Sequence, residues 1–274
     1  MEAVRKPHSA AAEAIANEFV SARLKAVALP AFPGTLPANL GDAYAVQDAA
    51  IDIFPDEVAG WKIGKMPPEL ISVLGYNSVS GPVFRKDVRY AAPGGTVEYG
   101  MFVGGFGAVE AEYMFEIGED APVGKLNWTT AEVSALVKRM VCGVEMAGSP
   151  LATINKIGPL CVVSDFGNNN GIIVGPEIPN WRERVLTELT CETFINGKSV
   201  GTGMAANVPG GPLESLRFVT EVCAKMGRPL RSGQYITTGA ITGIHDVVPG
   251  ELARVEFKGL GAVQCVAVAM KSRL

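Results

Sequence analysis

Histidine, paired cysteines and charge are all scarce in this chain of 274 residues. It has only two histidines, so any metal site must draw mainly on oxygen ligands. Its five cysteines form no C-x-x-C pair and each has apolar neighbours, which argues against a structural zinc site or a disulfide framework. Charged residues make up 19% and hydrophobic residues 48%, so a disordered chain is excluded and a large core is expected.

The chain also lacks a basic block and a long apolar run. Lys and Arg number 24 against 28 Asp and Glu, a net charge of −4, so we expect no nucleic-acid partner. No apolar stretch approaches ~18 residues without a charge or a proline, so we expect no membrane span. Glu13 and Glu18 interrupt the stretch that a signal peptide needs to be apolar. These features predict a cytoplasmic protein.

Two regions of different character follow one another along the chain. The first 55 residues predict a helical segment, because apolar residues such as Ile15 and Phe19 recur at helical spacing. Asp42 is the expected N-cap of a second helix there. From residue 56 onward, short apolar runs alternate with Gly and Pro, which is typical of sheets. We therefore predict an α+β protein with a helical N-terminal segment over 1–55 and one β-rich domain over 56–274.

Local signals place a helix and a hairpin within the second region. Thr129 with Glu132 three residues later forms a capping box, and we expect the helix that it opens to continue through Met140. The segment Leu189–Ile195 predicts a strand, and Asn196–Gly197 after it is the dipeptide that a type I′ hairpin prefers.

Three glutamates need a chemical explanation. Glu110 and Glu112 are two positions apart in a predicted strand, so their carboxylates point to the same face. A solvated strand face is the ordinary explanation for such a pair. Glu145, however, stands alone in an apolar run, where an ionised carboxylate is costly to bury without a partner. Three such glutamates suit a hard divalent cation such as Mg²⁺ or Mn²⁺.

Two basic side chains have more than one interpretation. Lys62 lies between Trp61 and Ile63, so it either extends from the edge of the core to solvent or lies beside the metal site as an acid/base group. In an extended segment its two neighbours point away from it. His245 lies in a loop at a strand end, which leaves a structural and a chemical role open.

At these residues the sequence resembles the 2-keto-4-pentenoate hydratase / 4-oxalocrotonate decarboxylase family, a branch of the fumarylacetoacetate hydrolase superfamily. The resemblance runs across nearly the whole chain and rests on the order and spacing of its segments. These segments are Asp42–Gln47, Gly60–Gly64, Val109–Glu112, Gly143–Ser149, Val163–Asn170 and Arg231–Gly239. The resemblance implies a fumarylacetoacetate-hydrolase-like mixed β-roll with flanking helices, and makes residues 56–274 its catalytic domain.

The resemblance also implies a site. Its metal ligands, for Mg²⁺ or Mn²⁺, are Glu110, Glu112 and Glu145. Its catalytic residues are Lys62 and Asp165. Its substrate-binding residues are Lys62, Ser80 and Thr238. The metal of such enzymes stabilises the enolate of a small 2-oxo or 2-hydroxydienoate carboxylate.

The function that this resemblance favours is a metal-dependent hydratase, a lyase that adds water to a 2-hydroxydienoate or 2-oxo-enoate in the catabolism of aromatic compounds. We expect it to act as a homo-oligomer. Three alternatives stay open: a 4-oxalocrotonate-type decarboxylase, an acylpyruvate C–C hydrolase and a non-catalytic binder of 2-oxo acids.

The chain departs from the family pattern at three positions. Ser80 replaces an acidic residue, Pro150 replaces an arginine and Gly211 replaces a histidine. With a cation and an imidazole missing, we expect the far end of the pocket to be less positive, and substrates with one carboxylate to be preferred. Three basic residues near Ser80 in the sequence are candidates to compensate: Arg85, Lys86 and Arg89.

Overall fold

The computed structural model describes residues 7–75 and 77–274, so residues 1–6 of the predicted N-terminal segment lie outside the described part. The described helices are α1 (Ala10–Lys25), α2 (Leu40–Ile53), α3 (Pro68–Leu74), α4 (Thr130–Ala135), α5 (Ile154–Ile157), α6 (Pro159–Ser164) and α7 (Pro212–Lys225). None of these helices combines the length and the apolar character that crossing a membrane requires.

The strands form two sheets. They are β1 (Val58–Lys65), β2 (Ser78–Phe84), β3 (Val88–Tyr90), β4 (Thr96–Met101), β5 (Phe106–Ile117), β6 (Val137–Ser149), β7 (Asn169–Glu177), β8 (Thr190–Ile195), β9 (Lys198–Met204), β10 (Tyr235–Thr237), β11 (Ile244–Asp246), β12 (Leu252–Phe257) and β13 (Gly261–Ala269).

The larger sheet has the order β2-β1-β10-β5-β6-β7-β3, with β11 also paired to β5, and the smaller has the order β4-β13-β12-β8-β9. Three pairs are parallel (β1 with β10, β3 with β7, β4 with β13) and the others are antiparallel. The predicted α+β class with a mixed sheet is therefore confirmed.

The two faces of β5 have different environments, as the alternation of its residues predicts. Val109, Ala111 and Tyr113 are fully buried in the main core. The ring of Tyr113 packs against Phe257 of β12 in the smaller sheet, with 5.6 Å between centroids. Because alternate side chains of a strand point to opposite faces, the glutamates of β5 lie on the other side, away from this apolar contact.

The N-terminal helices pack on the larger sheet, and one of their predicted caps is wrong. Helix α2 begins at Leu40, and the side chain of Asn39, not Asp42, is its N-cap, with Oδ1 accepting from the Asp42 backbone N at 3.0 Å. An asparagine caps as well as an aspartate does, and it lies directly before the first helical residue. Further along α2, buried Gln47 donates to the carbonyl oxygens of Ser80 and Val163.

The helix predicted from Thr129 through Met140 is half right. The capping box between Thr129 and Glu132 is present, but α4 ends at Ala135 and Met140 lies in strand β6. The run from Met140 to Gly148 is apolar except for Glu145, which suits a buried strand as well as a helix. Pairing with β5 on one side and β7 on the other fixes it as the longest strand described.

The hairpin at Asn196–Gly197 is confirmed. It joins β8 to β9, and its two central residues have φ of 50° and 79°, the positive values that a type I′ turn needs. Strand β12 alternates between exposed and buried residues along its whole length.

Strand β2 passes unusually close to the turn that precedes β7. A Cβ atom on Gly81 would lie 2.0 Å from the carbonyl oxygen of Phe166, so only glycine fits there. Gly81 is the register partner of Lys62 on β1, so this approach brings the turn beside Lys62.

Gly81→Ala is expected to lower the free energy of unfolding by about 1–3 kcal/mol, the range for an overpacked interior. The clash is with backbone, which cannot move aside as a flexible side chain can. Gly64→Ala on the neighbouring strand is the matched control, because the nearest atoms to its added carbon lie 3.5 Å away. Urea unfolding followed by circular dichroism measures both variants. Equal stability of the two would contradict the close approach.

Candidate metal centre and active site

The register of the two longest strands brings the three predicted glutamates together. Glu110 on β5 is the direct partner of Glu145 on β6, and Glu112 lies two residues further along β5 on the same face. One carboxylate oxygen from each residue lies within 4.8 Å of the others. Glu112 and Glu145 are fully buried, and Glu110 is 4% exposed. The strand pairing therefore concentrates three carboxylates in the interior.

Lys62 on β1 joins this cluster. Its Nζ lies 3.2 Å from Oε1 of Glu145, and the residue is only 4% exposed. Its neighbours Trp61 and Ile63 point into the main core, as the alternation of a strand predicts. Lys62 is thus a buried ammonium facing carboxylates, rather than a side chain that extends to solvent.

Some carboxylate oxygens have hydrogen-bond donors and others have none. Oε2 of Glu112 accepts from the backbone N of Thr238 and of Gly239, both at 2.7 Å. Oε1 of Glu145 accepts from Nδ2 of Asn169 at 3.1 Å. Oε1 of Glu112 and Oε2 of Glu145 are buried and lack any hydrogen-bond partner among the described residues. Buried acceptors without a donor are costly, so these oxygens are available for a cation.

The pKa shifts of the four charged groups also indicate a site that can bind a cation. Burial raises the pKa of Glu110 to about 7, with Lys62 opposing the rise and Glu145 adding to it. Burial, followed by the charges of Glu145 and Glu110, raises the pKa of Glu112 well above its usual range. Burial by itself lowers the pKa of Lys62, because it disfavours the charged form. The attraction of the three carboxylates is stronger, so the pKa of the ammonium is raised. The site has more negative charge than one lysine offsets.

The donor set fits a hard divalent cation. Its ligands are carboxylate oxygens, two of them without partners, and no imidazole or thiolate belongs to the cluster. Mg²⁺ and Mn²⁺ prefer such oxygen ligands, whereas Zn²⁺ sites in proteins usually include histidine or cysteine. Glu110, Glu112 and Glu145 could therefore hold Mg²⁺ or Mn²⁺.

The hydroxyls of Ser80 and Thr238 are engaged with backbone. Oγ of Ser80 donates to the carbonyl oxygen of Lys62 at 3.0 Å, and Oγ1 of Thr238 donates to that of Tyr113 at 2.8 Å. The contact of Thr238 with the cluster comes instead from its backbone N, which donates to Glu112. Both residues thus fix the backbone that carries the charged groups.

Asp165 lies in a buried group of its own. Its Oδ1 accepts from Nε of Arg23 and its Oδ2 from Oγ of Ser149, both at 2.5 Å. Arg23, from helix α1, had no predicted role. It lies four residues after Phe19 on the buried face of the helix, and a charge at an apolar position was the signal that could have revealed it.

A cavity of about 800 Å³ opens above the cluster, with Lys62 and Glu110 among its lining residues. Two further cations line it, Lys65 and Lys156, which the sequence analysis did not single out. Lys156 is exposed on α5, and Nζ of Lys65 donates to the carbonyl oxygen of Asn207 at 3.1 Å. Arg85, Lys86 and Arg89, the candidates near Ser80, are not among the lining residues of this cavity, whereas Lys65 and Lys156 are.

His245 lies beside the cavity rather than in its lining. It belongs to β11, and its Nε2 lies 3.0 Å from Oγ1 of Thr242, which does line the cavity. Partial burial lowers the pKa of the imidazole, opposed by a hydrogen bond at the Thr242 backbone and, to a smaller extent, by the charge of Asp246. The contact of the ring with Thr242 indicates that His245 supports the cavity wall.

Comparison with known proteins supports the predicted resemblance. A 4-oxalocrotonate decarboxylase of Pseudomonas putida is 27% identical over 210 residues, 76% of each chain. A 2-keto-4-pentenoate hydratase of Paraburkholderia xenovorans is 26% identical over 229 residues, 82% of this chain and 83% of that protein. The curated homologues of this chain are hydratases and a decarboxylase. No family model matches the sequence.

Solved structures confirm the predicted fold. The 4-oxalocrotonate decarboxylase of Pseudomonas putida G7, complexed with magnesium and adipate, superposes with a TM-score of 0.78 at 22% identity, over 96% of this chain and 100% of that one. The fumarylpyruvate hydrolase of Pseudomonas aeruginosa, in complex with Mn²⁺ and pyruvate, gives a TM-score of 0.56 at 15% identity, over 77% and 89%. This chain therefore shares its fold with these two solved structures.

Glu110→Gln is expected to stabilise the metal-free protein at pH 8 by about 1–3 kcal/mol, because it removes one buried negative charge while keeping the shape. Glu116→Gln is the control on the same strand. The carboxylate of Glu116 is paired with Lys138 and Arg139, so its loss is expected to be neutral or destabilising. Thermal unfolding in the presence of EDTA measures both. A clear loss of stability in Glu110→Gln would contradict the excess of buried negative charge.

Proposed function

We propose that this protein is a metal-dependent hydratase that adds water to a 2-hydroxydienoate or 2-oxo-enoate. One observation carries the proposal: three buried carboxylates with unpartnered oxygens lie beside a buried lysine at the floor of a cavity. Curated homologues that cover about four fifths of the chain include 2-keto-4-pentenoate hydratases, which supports the reaction class.

The residues have distinct roles in this proposal. Glu110, Glu112 and Glu145 would hold Mg²⁺ or Mn²⁺, which supplies a Lewis acid for the oxygens of a 2-oxo acid. The backbone N–H groups of Thr238 and Gly239 hold Glu112 in place by donating to one of its oxygens. The other oxygen of Glu112 is left free for the cation.

Lys62 is the group that moves a proton. It lies at the boundary between the carboxylates and the cavity, so its Nζ can reach a substrate seated there. As an ammonium, Lys62 can donate a proton to the terminal carbon of the dienol, and the proton of the 2-hydroxyl then returns to the amine, which leaves the 2-oxo-enoate. Water adds across the remaining double bond, with its hydroxyl on carbon 4 and its proton on carbon 3.

Other inferences from the sequence stay predictions. They are the catalytic role of Asp165, the substrate-binding roles of Ser80 and Thr238, the cytoplasmic location, the homo-oligomeric assembly and the part in aromatic-compound catabolism. Ser80 donates to the Lys62 carbonyl oxygen and the Thr238 backbone N donates to the Glu112 carboxylate, which supports an indirect contribution through the placement of Lys62 and Glu112.

A second candidate function is favoured by the lysines of the cavity. Lys65 and Lys156 add two positive charges to the lining, against the acidic residues Glu69 and Glu110. Such a lining suits a substrate with a second carboxylate. From Pro150 and Gly211, which replace an arginine and a histidine of the family pattern, we had expected a preference for one carboxylate. A decarboxylase of the 4-oxalocrotonate type acts on such a dicarboxylate, and a homologue has that name.

The two functions are separated by one assay. The purified protein with Mg²⁺ is given a 2-hydroxydienoate or 4-oxalocrotonate, and ultraviolet absorbance, CO₂ release and incorporation of ¹⁸O-labelled water are followed. Loss of the dienoate chromophore with ¹⁸O incorporation supports the hydratase, and CO₂ release supports the decarboxylase. No change with either substrate, with and without a chelator, would contradict both.

Lys62→Met is expected to keep the fold and the metal but to lower kcat by about 100-fold or more, the scale for a positioned acid/base. Lys258→Met is the control, because that lysine is exposed and outside the cavity lining. Steady-state kinetics measures turnover and circular dichroism checks the fold. Near-normal turnover in Lys62→Met would show that the lysine takes no part in proton transfer.

Lys156→Met is expected to lower kcat/KM for a dicarboxylate about two- to fivefold relative to the matching monocarboxylate, the scale of one exposed charge pair. Lys86→Met is the control, since Lys86 does not line the cavity. An unchanged ratio between the two substrates in Lys156→Met would rule out contact between this lysine and the second carboxylate.

A further inference from the structure

Arg23 makes a set of buried contacts that links helix α1 to the turn before β7. The residue is 6% exposed. Its Nε donates to Oδ1 of Asp165, its Nη1 to the carbonyl oxygen of Asn169 at 3.0 Å, and its Nη2 to the carbonyl oxygen of Gly148 at 3.0 Å. One planar guanidinium thus holds both strand β6 and the start of strand β7, which a lysine could not do with a single ammonium.

The turn between Asp165 and Asn169 needs such support. Phe166, Gly167 and Asn168 have φ of 54°, 65° and 63°, so three successive residues are in the left-handed region. Phenylalanine is strained there, and such backbone persists only where its surroundings fix it. The guanidinium of Arg23 lies 5.1 Å from the ring centroid of Phe166, and its Nη2 also donates to the carbonyl oxygen of Asp165 at 3.3 Å.

The far end of the turn contacts the carboxylate cluster directly. Nδ2 of Asn169 donates to Oε1 of Glu145, the oxygen that also faces Lys62. Oδ1 of Asn169 accepts from the backbone N of Gly171, which fixes the orientation of the amide. The position of the Asn169 backbone, held by Arg23, therefore decides where its amide meets Glu145.

The same guanidinium lies beside a position where the chain departs from the family pattern. Pro150 replaces an arginine there, and it comes two residues after Gly148, whose carbonyl oxygen Arg23 contacts. The carbonyl oxygen of Pro150 accepts from the backbone N of Leu29, in the segment that follows α1. A guanidinium thus reaches this region from α1, although position 150 supplies none.

We propose that Arg23 is a positioning residue for the metal centre: through the turn 165–169 and the amide of Asn169 it holds the carboxylate of Glu145 in the orientation that binds the cation. This inference rests on the proposed function, because it takes Glu145 as a metal ligand. In it Asp165 acts as the buried counter-ion of Arg23 and has no direct contact with substrate.

The test is calorimetric titration of the metal-free protein with Mg²⁺. Arg23→Met and Asn169→Ala are expected to weaken Mg²⁺ binding about 10- to 100-fold, the usual cost of losing a group that orients a metal ligand. Arg23→Lys is expected to recover only part of the affinity. Arg228→Met is the control, since Arg228 forms ion pairs with Asp48 and Asp52 of α2, outside the carboxylate cluster.

The outcomes are distinct. Arg23→Met removes a buried charge and can fail to fold, so Asn169→Ala, which leaves the pair of Arg23 and Asp165 intact, decides the question in that case. Wild-type affinity in a folded Asn169→Ala variant overturns the role of the turn. Lower thermal stability of Arg23→Lys with unchanged affinity overturns the role of Arg23. A wild-type protein that binds no Mg²⁺ overturns the proposed function as well.

Discussion

The buried negative charge of three glutamates determines how the backbone and side chains around them are arranged. Three carboxylates and one ammonium lie in the interior of the larger sheet, and two of the carboxylate oxygens have no described partner. Ions in such surroundings are costly unless they are paired and hydrogen-bonded. The register of β5 against β6, the backbone donors at Thr238 and Gly239, and Lys62 each offset part of that cost. A divalent cation would offset the remainder.

The helices at the start of the chain belong to this arrangement as much as the sheets do. Gln47 of α2 donates to the backbone of β2 beside Lys62, and Arg23 of α1 holds the turn that leads to Asn169. Both side chains are buried, and the residues that they contact are more than thirty positions away in the sequence. The N-terminal segment is thus tied to the site by polar contacts, in addition to its apolar packing.

Alternation along a strand made much of the site predictable. It placed Glu110 with Glu112 on one face, and it directed Lys62 away from the core. The partnership of Glu110 with Glu145 depends on register between strands, which no local pattern encodes. Pairing with distant strands β5 and β7 also explains why the segment around Met140 is a strand rather than a helix. Arg23, Lys65 and Lys156 were missed because side chains from distant segments meet there only once the chain has folded.

Calorimetric titration of the wild type and of Glu145→Gln with Mg²⁺ shows whether Glu110, Glu112 and Glu145 together bind one divalent cation. We expect one Mg²⁺ per chain in the wild type and at least tenfold weaker binding in Glu145→Gln, since the amide keeps the shape but loses the charge. Glu116→Gln, on the same sheet but paired with Lys138 and Arg139, is expected to bind as the wild type does. Equal affinity in Glu145→Gln and the wild type would mean that Glu145 is not a ligand of the cation.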